Sequence, residues 1–197
     1  KIKLGSVDGI QADKSMFEQV VKSTKNYNVK IRVDANGGWN IADAKHMMQW
    51  LADRGVDYVE QPLKEGEEFN LEELYENRPV PIYLDETCRF SENISSFAHC
   101  VDGVNMKLMK CGGITEALKI IKTARKYKLK TMIGCMSESS VSIAAAAALS
   151  GGIDHIDLDS HYNLAPDPST GAPMVDGVTL PPDIPGHGGE LKKEFYA

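Results

Sequence analysis

The sequence lacks the patterns that mark several common kinds of site. It has no CxxC pair, no HxxxH or HExxH spacing and no GxSxG motif, so nothing favours a structural zinc site, a zinc hydrolase or a serine hydrolase with a nucleophile elbow. The longest apolar run, IAAAAAL at 143–149, is far too short to span a bilayer. Positive charge is not in excess, because 28 acidic residues stand against 22 basic ones, for a net charge of −6. Nucleic acid and anionic membranes are therefore not expected partners.

Length and cysteine content set the broad class. A chain of 197 residues is long enough for one domain with an apolar core. The four cysteines, Cys88, Cys100, Cys111 and Cys135, are widely spaced, which favours reduced thiols in a cytoplasmic protein over disulfides.

Short β-rich segments alternate with segments of helical periodicity along the chain. VKIRVDANGG at 29–38 predicts a strand that ends in glycines, and 41–55 predicts a helix with Met47, Met48 and Leu51 on its apolar face. The same unit recurs through PIYLDE, GVNMKLMKCGG, KTMIGC and HIDLDSH. Such alternation predicts βαβ units and a parallel sheet.

Charged residues stand at the C-terminal ends of these predicted strands. They are Asp34, Glu60, Asp85, Lys107 and the pair Asp157 and Asp159. In a closed (β/α) barrel the C-terminal strand ends ring one pocket, whereas the outer strands of an open doubly wound sheet lie too far from a shared site. We therefore predict a (β/α) barrel, with the open sheet as the alternative.

Three of these residues form a candidate metal site. Carboxylates from Asp34, Glu60 and Asp85 around one pocket would repel each other unless a cation lay between them. Oxygen-only ligands favour a hard ion, Mg²⁺ above all and Mn²⁺ as the alternative. Each acid taken singly is also compatible with a helix cap. The regular placement of all three favours the metal site.

Lysines supply the candidate bases. A nearby metal ion and limited solvation both lower the pKa of a lysine, so Lys107 is a candidate base near neutral pH. Lys1 and Lys3 in KIKLG lie on one face of a predicted strand, where one can act as the base and the other as its electrostatic helper. A solvated edge strand is the alternative explanation of this Lys-x-Lys pattern.

A second acidic pair closes the series of strand ends. Asp157 and Asp159 alternate with Leu158 in HIDLDSH, so on a strand both carboxylates point to the same side. Two like charges this close need a cation between them. The residues alone leave three candidates: a metal ion, a lysine of the protein, or a group of the substrate.

Taken in order, these motifs resemble the enolase superfamily, and within it the muconate-lactonizing-enzyme subgroup. The motifs are Lys-x-Lys, VDANGGW, VEQP, LDE and NMKLMKCGG, and the resemblance covers nearly the whole chain. IGCMSES followed by DLD is most similar to the dipeptide epimerases, whose best-known members act on L-Ala-D/L-Glu.

The resemblance implies a TIM-like barrel of the enolase-superfamily C-terminal type that inverts the α-carbon of a dipeptide by 1,1-proton transfer through an enediolate. It implies Asp34, Glu60 and Asp85 as Mg²⁺ ligands. It implies Lys3 and Lys107 as the acid/base pair, with Lys1 assisting. The implied substrate-binding residues are Cys135, Met136, Ser137, Asp157, Leu158 and Asp159, in which the two aspartates hold the α-ammonium group of the dipeptide.

Departures from the family pattern set further expectations. The N-terminal capping domain and the first barrel strand have no counterpart here, so we expect a part of a longer protein. We expect a partial catalytic barrel at 1–178 and, at 179–197, a C-terminal tail that packs on the capping domain. The resemblance also implies a homo-oligomer. The alternative functions are cycloisomerase or o-succinylbenzoate synthase chemistry, or a non-catalytic truncated barrel that only binds ligand.

Overall fold

The computed structural model describes residues 1–196, in which strands and helices alternate. The strands of the main sheet are β1 (Ile2–Lys3), β2 (Val33–Asp34), β3 (Val59–Glu60), β4 (Ile82–Leu84), β5 (Gly103–Met106), β6 (Lys130–Ile133) and β7 (His155–Ile156). The α-helices are α1 (Ile10–Thr24), α2 (Ile41–Ala52), α3 (Leu71–Glu76), α4 (Ser91–Phe97), α5 (Leu108–Cys111), α6 (Ile114–Lys126) and α7 (Ser140–Ala148).

The main sheet is parallel wherever its pairing is defined, and its strands follow one another in chain order from β1 to β7. A doubly wound sheet instead reverses its strand order at a switch point. The observed order is that of a (β/α) barrel, and the open-sheet alternative is wrong.

The strands are shorter than the sequence pattern predicts. The strand expected over 29–38 is reduced to Val33–Asp34. It ends there because Asn36 and Gly37 adopt positive φ angles of 47° and 65°, which turn the chain away from the sheet. The side chain that matters for the site, Asp34, is the last residue of the strand, as the pattern predicts.

The residues divide into two compact units. The first contains Lys1–Cys88 and Ser95–Val104, and the second contains Arg89–Ile94 and the chain from Asn105 onward. In the first unit Asn40 caps the N-terminus of α2, because its side chain accepts a hydrogen bond from the Asp43 N–H, and the predicted apolar face of α2 is buried. Full burial of a Met or Leu side chain contributes about 1.5–3 kcal/mol, so this face is a main source of the stability of the unit.

In the second unit α6 and α7 supply the apolar core. The turn into α6 contains Gly112 and Gly113, whose φ angles of 83° and 130° are rarely adopted by residues with a side chain. Helix α7 is rich in alanine and buries 143–147. Its small side chains let other backbone segments approach closely.

The C-terminal residues pair with the chain that precedes them. Strand β10 (Val178–Thr179) forms a hairpin with β9 (Met174–Val175), and β11 (Glu190–Leu191) pairs with β8 (Ser169–Thr170). The tail expected from 179 onward therefore begins inside β10. Its packing on a capping domain stays a prediction. No helix of the described residues has both the length and the hydropathy needed to cross a membrane.

Candidate functional site

The C-terminal ends of β1, β2 and β3 place three charged residues side by side. Lys3 is the register partner of Asp34, and Asp34 is the register partner of Glu60. Because side chains of partnered residues on neighbouring strands point to the same face of a sheet, these three side chains share one face. Asp34 and Glu60 are fully buried.

Asp85 follows β4 and completes a carboxylate cluster in the first unit. The oxygens of Asp34, Glu60 and Asp85 lie within 4.8 Å of one another, and all three residues have 0 % exposure. Burying three anions this close is unfavourable unless positive charge compensates them. A buried, oxygen-only donor set is what a hard divalent cation prefers. The structure thus brings together the three residues that the sequence singles out, and their role as metal ligands stays a prediction.

Lys3 at the end of β1 and Lys1 just before the strand both face this cluster. Lys1 Nζ lies 3.3 Å from Glu60 Oε2 and 3.9 Å from Asp34 Oδ2. Lys3 Nζ donates a hydrogen bond to Asp34 Oδ2. The Lys1 side chain is 11 % exposed and that of Lys3 is 54 % exposed, while Ile2 between them is buried. Lys1 and Lys3 therefore project to the same side, and Lys3 keeps access to solvent.

Two stacked tyrosines lie on the same sheet face, and one of them, Tyr83, is the register partner of Glu60. Tyr58 precedes Glu60 by two residues, and Tyr83 precedes Asp85 by two. Their rings stack at 4.1 Å between centroids. Gly103 leaves room for Tyr83, because a Cβ at Gly103 would lie 2.4 Å from the ring.

Lys107 lies in the second unit, directly after β5, and is 6 % exposed. Gly134, the residue after β6, leaves space for it. A Cβ at Gly134 would lie 3.3 Å from Lys107 Cε and 2.9 Å from Asn105 Oδ1. The role of Lys107 as an acid or base is not tested by these contacts.

The loops after β6 and β7 come together in the second unit. Cys135 Sγ lies 3.3 Å from the Asp157 carbonyl oxygen and 3.9 Å from Asp159 Oδ1. Met136 and Ser137 are exposed beside it. The structure thus gathers the predicted substrate-binding residues of these two loops, whereas their contact with a substrate stays a prediction.

The prediction that the aspartate pair lies on a strand is wrong, because β7 ends at Ile156. Asp157 still donates its N–H to the Ile133 carbonyl at 3.0 Å, but Asp159 stands at the start of a 3₁₀ turn. The alternation persists: Leu158 is 5 % exposed, Asp157 is half-buried and Asp159 is exposed. The side chain of Leu158 therefore points away from the two carboxylates.

Glu138 is a buried acid that the sequence analysis did not single out. Its Oε1 accepts the Met136 N–H at 2.8 Å, and its Oε2 accepts the Ser142 hydroxyl. Its own N–H donates to Ser160 Oγ at 3.3 Å. It ties the Cys135–Ser137 loop to α7 and to the residue after Asp159. The only signal in the sequence is one charge among small residues in GCMSESS.

Asp13, in α1, was missed as well. It is 1 % exposed, and it accepts hydrogen bonds from the Ser6 N–H at 2.9 Å and from Trp39 Nε1 at 2.8 Å. It therefore joins the loop after Lys3 to the loop after Asp34. Nothing in the helical pattern around Asp13 marks it as different from a solvated acid.

Comparison of the sequence with known proteins identifies one family and closely related epimerases. The sequence profile of the Enolase C-terminal domain-like family matches residues 1–195. A hydrophobic dipeptide epimerase of Flavobacteria bacterium strain MS024-2A is 76 % identical over 197 residues, which are 100 % of this chain and 56 % of that protein. A hydrophobic dipeptide epimerase of Roseobacter litoralis is 59 % identical over 97 % of this chain and 56 % of its own length.

Solved structures agree with the sequence relatives. The dipeptide epimerase of Enterococcus faecalis V583, complexed with Mg and the dipeptide L-Leu-L-Tyr, superposes with a TM-score of 0.85 at 32 % identity, over 96 % of this chain and 54 % of that one. The dipeptide epimerase of Cytophaga hutchinsonii, complexed with Mg and D-Ala-L-Val, gives a TM-score of 0.89 at 26 % identity, over 98 % and 54 %. The predicted barrel fold is thereby confirmed. The chain spans just over half the length of the relatives that it matches.

Proposed function

The chain belongs to the Enolase C-terminal domain-like family, and from that membership we propose that it supplies the catalytic barrel of a Mg²⁺-dependent dipeptide epimerase. The observation that carries the proposal is the buried cluster of Asp34, Glu60 and Asp85, with two lysine ammonium groups facing it. This combination would provide both of the groups that removal of an α-proton requires, which are a site for a hard cation and, once an ammonium group has lost its proton, an amine base.

The donor set fits a divalent cation. Asp34, Glu60 and Asp85 would hold Mg²⁺, with Mn²⁺ as the alternative ion, because all three offer carboxylate oxygens and are closed off from water. When bound, the ion would supply a positive charge that stabilises the second negative charge of a substrate carboxylate whose α-proton has left.

The lysines would move the proton. Lys3, half exposed at the end of β1, would take the α-proton from one face of the substrate carbon, and Lys107 would return a proton to the other. The Lys1 side chain is only 11 % exposed and its ammonium group lies against Glu60, so Lys1 would supply positive charge rather than exchange a proton with the substrate. The configuration of one carbon inverts, and no other bond changes.

The acidic loop residues would bind the other end of the substrate. Asp157 and Asp159 would accept hydrogen bonds from the α-ammonium group of the dipeptide. Cys135, Met136 and Ser137 would line the site together with Leu158. We propose apolar dipeptides as the substrate class, because the relatives at 76 % and 59 % identity are hydrophobic dipeptide epimerases.

The test is α-proton exchange in deuterated water. The intact protein is incubated with L-Leu-L-Tyr or L-Ala-L-Glu and Mg²⁺, and NMR follows loss of the α-proton signal and growth of the second diastereomer. We expect Mg²⁺-dependent exchange, faster with L-Leu-L-Tyr, which is lost on addition of a chelator and in Asp85→Asn. Dipeptide binding without exchange in a folded sample would overturn the proposal in favour of a non-catalytic binding module.

The ammonium site separates the proposal from its enzymatic alternatives. Substrates of a cycloisomerase or of an o-succinylbenzoate synthase carry no ammonium group. We therefore expect the double variant Asp157→Asn with Asp159→Asn to lose dipeptide turnover, and the unaltered protein to ignore N-acetylated L-Leu-L-Tyr. Unchanged dipeptide turnover in the double variant would show that Asp157 and Asp159 do not hold the ammonium group, and turnover of N-acetylated L-Leu-L-Tyr would count against the ammonium site as well.

Three wider expectations belong with this proposal. We propose that 1–178 is the catalytic part and that 179–197 contacts a capping domain elsewhere in the protein. A homo-oligomeric assembly and a cytoplasmic location are both consistent with the resemblance and with the cysteine content, and each stays a prediction.

A further inference from the structure

Gln61, the residue directly after Glu60, is 2 % exposed and connects two loops of the carboxylate cluster. Its Nε2 donates to the Leu63 carbonyl and to Thr87 Oγ1, each at 2.9 Å. Its Oε1 accepts the Asp85 N–H at 2.9 Å and the Thr87 N–H at 3.4 Å. An amide side chain offers two donors and two acceptor lone pairs, so the full hydrogen-bonding capacity of Gln61 is used.

The main chain of Gln61 adds a third loop. Its N–H donates to the Tyr83 carbonyl at 2.8 Å, and its carbonyl accepts the Gly37 N–H at 2.8 Å. Gly37 lies in the loop that follows Asp34. The φ angle of Gln61 is 39°, in the left-handed region that residues with a side chain rarely adopt, so the surrounding contacts must hold it there.

The network also extends outward from the cluster. Thr87 Oγ1 donates to Glu68 Oε1 at 3.0 Å, and Glu68 Oε2 accepts the Gly66 N–H at 2.8 Å. The loop between β3 and α3 is thereby connected to the residue two positions after Asp85. Gln61 is the member of this network that contacts the segments following β2, β3 and β4.

We propose that Gln61 is the positioning residue of the carboxylate cluster, and that it sets the affinity of the cluster for a divalent cation without contacting the ion. A carboxylate binds a metal well only when its orientation is fixed before binding, and partners that fix ligands typically change metal affinity by about 10- to 100-fold when they are removed. Gln61 fixes the backbone at Asp85 through its side chain and at Glu60 by direct linkage. The inference rests on the proposed function in one respect, namely that the cluster holds Mg²⁺.

The test compares Mg²⁺ binding by calorimetry in the intact protein and in Gln61→Met, at a temperature well below the unfolding of both. Methionine has a similar length but none of the four hydrogen bonds. We expect affinity for Mg²⁺ to fall about 10- to 100-fold. We also expect kcat to recover substantially at saturating Mg²⁺, since the ligands themselves remain.

Asp102→Leu is the matched control. Asp102 accepts the Ile82 N–H at 2.9 Å, at the opposite end of the strand that leads to Asp85. This variant removes the side-chain acceptor of a β4 amide and the ion-pair partner of Arg78, so it should lower the unfolding temperature while Mg²⁺ affinity stays unchanged. A loss of affinity equal to that of Gln61→Met would show a merely structural effect and overturn the inference.

The remaining outcomes are also decisive. Unchanged affinity in Gln61→Met, with normal binding in the unaltered protein, would overturn this inference and leave the proposed function standing. No Mg²⁺ binding by the unaltered protein would overturn both. If Gln61→Met does not fold, Gln61→Glu replaces it: this variant keeps the acceptor for Asp85 but loses the amide donors. Weaker Mg²⁺ binding in Gln61→Glu would support the inference, and equal or tighter binding would overturn it.

Discussion

Lys3 and Asp34 are register partners on β1 and β2, and the Lys3 ammonium group donates a hydrogen bond to the Asp34 carboxylate. The neighbouring Lys1 makes the equivalent contact with Glu60 at 3.3 Å. The charges of Asp34 and Glu60 are therefore compensated by the lysines proposed to serve the reaction. Any cation that binds the cluster must compete with these ammonium groups, because both are attracted to the same oxygens.

Replacing Lys1 should strengthen Mg²⁺ binding. In Lys1→Met the methylene chain is retained, but the positive charge next to Glu60 and Asp34 is removed. We expect a several-fold gain in Mg²⁺ affinity by calorimetry and a lower unfolding temperature in the presence of a chelator, because buried carboxylates lose a counter-charge. Lys25→Met, at an exposed lysine, is the control and should change neither quantity. Unchanged or weaker Mg²⁺ binding in Lys1→Met would contradict the competition.

The charged strand ends could be predicted from the sequence because their positions follow from the geometry of the fold. In a parallel sheet the C-terminal ends lie at one edge, so a charge at the end of each short β-rich segment places Asp34, Glu60 and Asp85 together. The buried face of α2 could be predicted for a similar reason, since helical periodicity decides which side chains face the core.

The residues that position these charges could not be predicted. Gln61, Asp13 and Glu138 each bond to partners that are distant in sequence or belong to the backbone. No periodicity distinguishes such a residue from a solvated polar one, since its burial is decided by tertiary contacts. The prediction that Asp157 and Asp159 lie on a strand is wrong for a different reason. The exposure of Asp157, Leu158 and Asp159 alternates as it would on a strand, but the strand ends at Ile156 and the chain then enters a 3₁₀ turn.

Adding a methyl group at Gly134 should impair Lys107 selectively. A Cβ there would lie 2.9 Å from Asn105 Oδ1 and 3.3 Å from Lys107 Cε, closer than ordinary contacts allow. We expect Gly134→Ala to lower kcat for dipeptide epimerisation while Mg²⁺ affinity stays unchanged. Gly151→Ala is the matched control, because nothing lies within 4 Å of its Cβ position. Equal kcat in the two variants would show that Lys107 is not confined by this glycine.

Protonation of Asp167 should lower the free energy of unfolding of the second unit at acid pH. Its carboxylate accepts hydrogen bonds from the N–H and hydroxyl groups of Ser140 and Ser169, at 2.5–3.0 Å. Burial alone would raise the pKa of Asp167, but these hydrogen bonds outweigh it and hold the pKa below the ordinary 3.8. A lowered pKa in the folded state gives stability that is present above 3.8 and is lost as pH falls through the folded value.

The measurement is urea unfolding of Asp167→Asn and the unaltered protein across this range. At pH 7 we expect the variant to be less stable by about 1–3 kcal/mol, the usual worth of hydrogen bonds to a charged group. The difference should shrink as pH falls below 3.8. Asp183→Asn, at an exposed carboxylate, is the control and should show no such convergence. A difference that is constant with pH would mean that the charge of Asp167 does not stabilise the fold.

Thiol alkylation should report whether a dipeptide occupies the loops after β6 and β7. Cys135 is half-buried and lies beside Asp157 and Asp159. Cys100 is buried, and this burial, with a smaller contribution from the charge of Glu72, raises the pKa of its thiol to about 11. Only the thiolate reacts, and at pH 8 a thiol with that pKa is roughly 0.1 % ionised, so iodoacetamide should label Cys135 first. Saturating L-Leu-L-Tyr with Mg²⁺ should slow labelling of Cys135 several-fold and leave the slow reaction of Cys100 unchanged, as followed by peptide mass spectrometry.

The control is Cys135→Ser, which should remove the fast phase of iodoacetamide labelling. If the dipeptide binds by calorimetry yet Cys135 reacts at its original rate, the substrate does not cover this loop, and the proposed roles of Cys135 and its neighbours would be wrong.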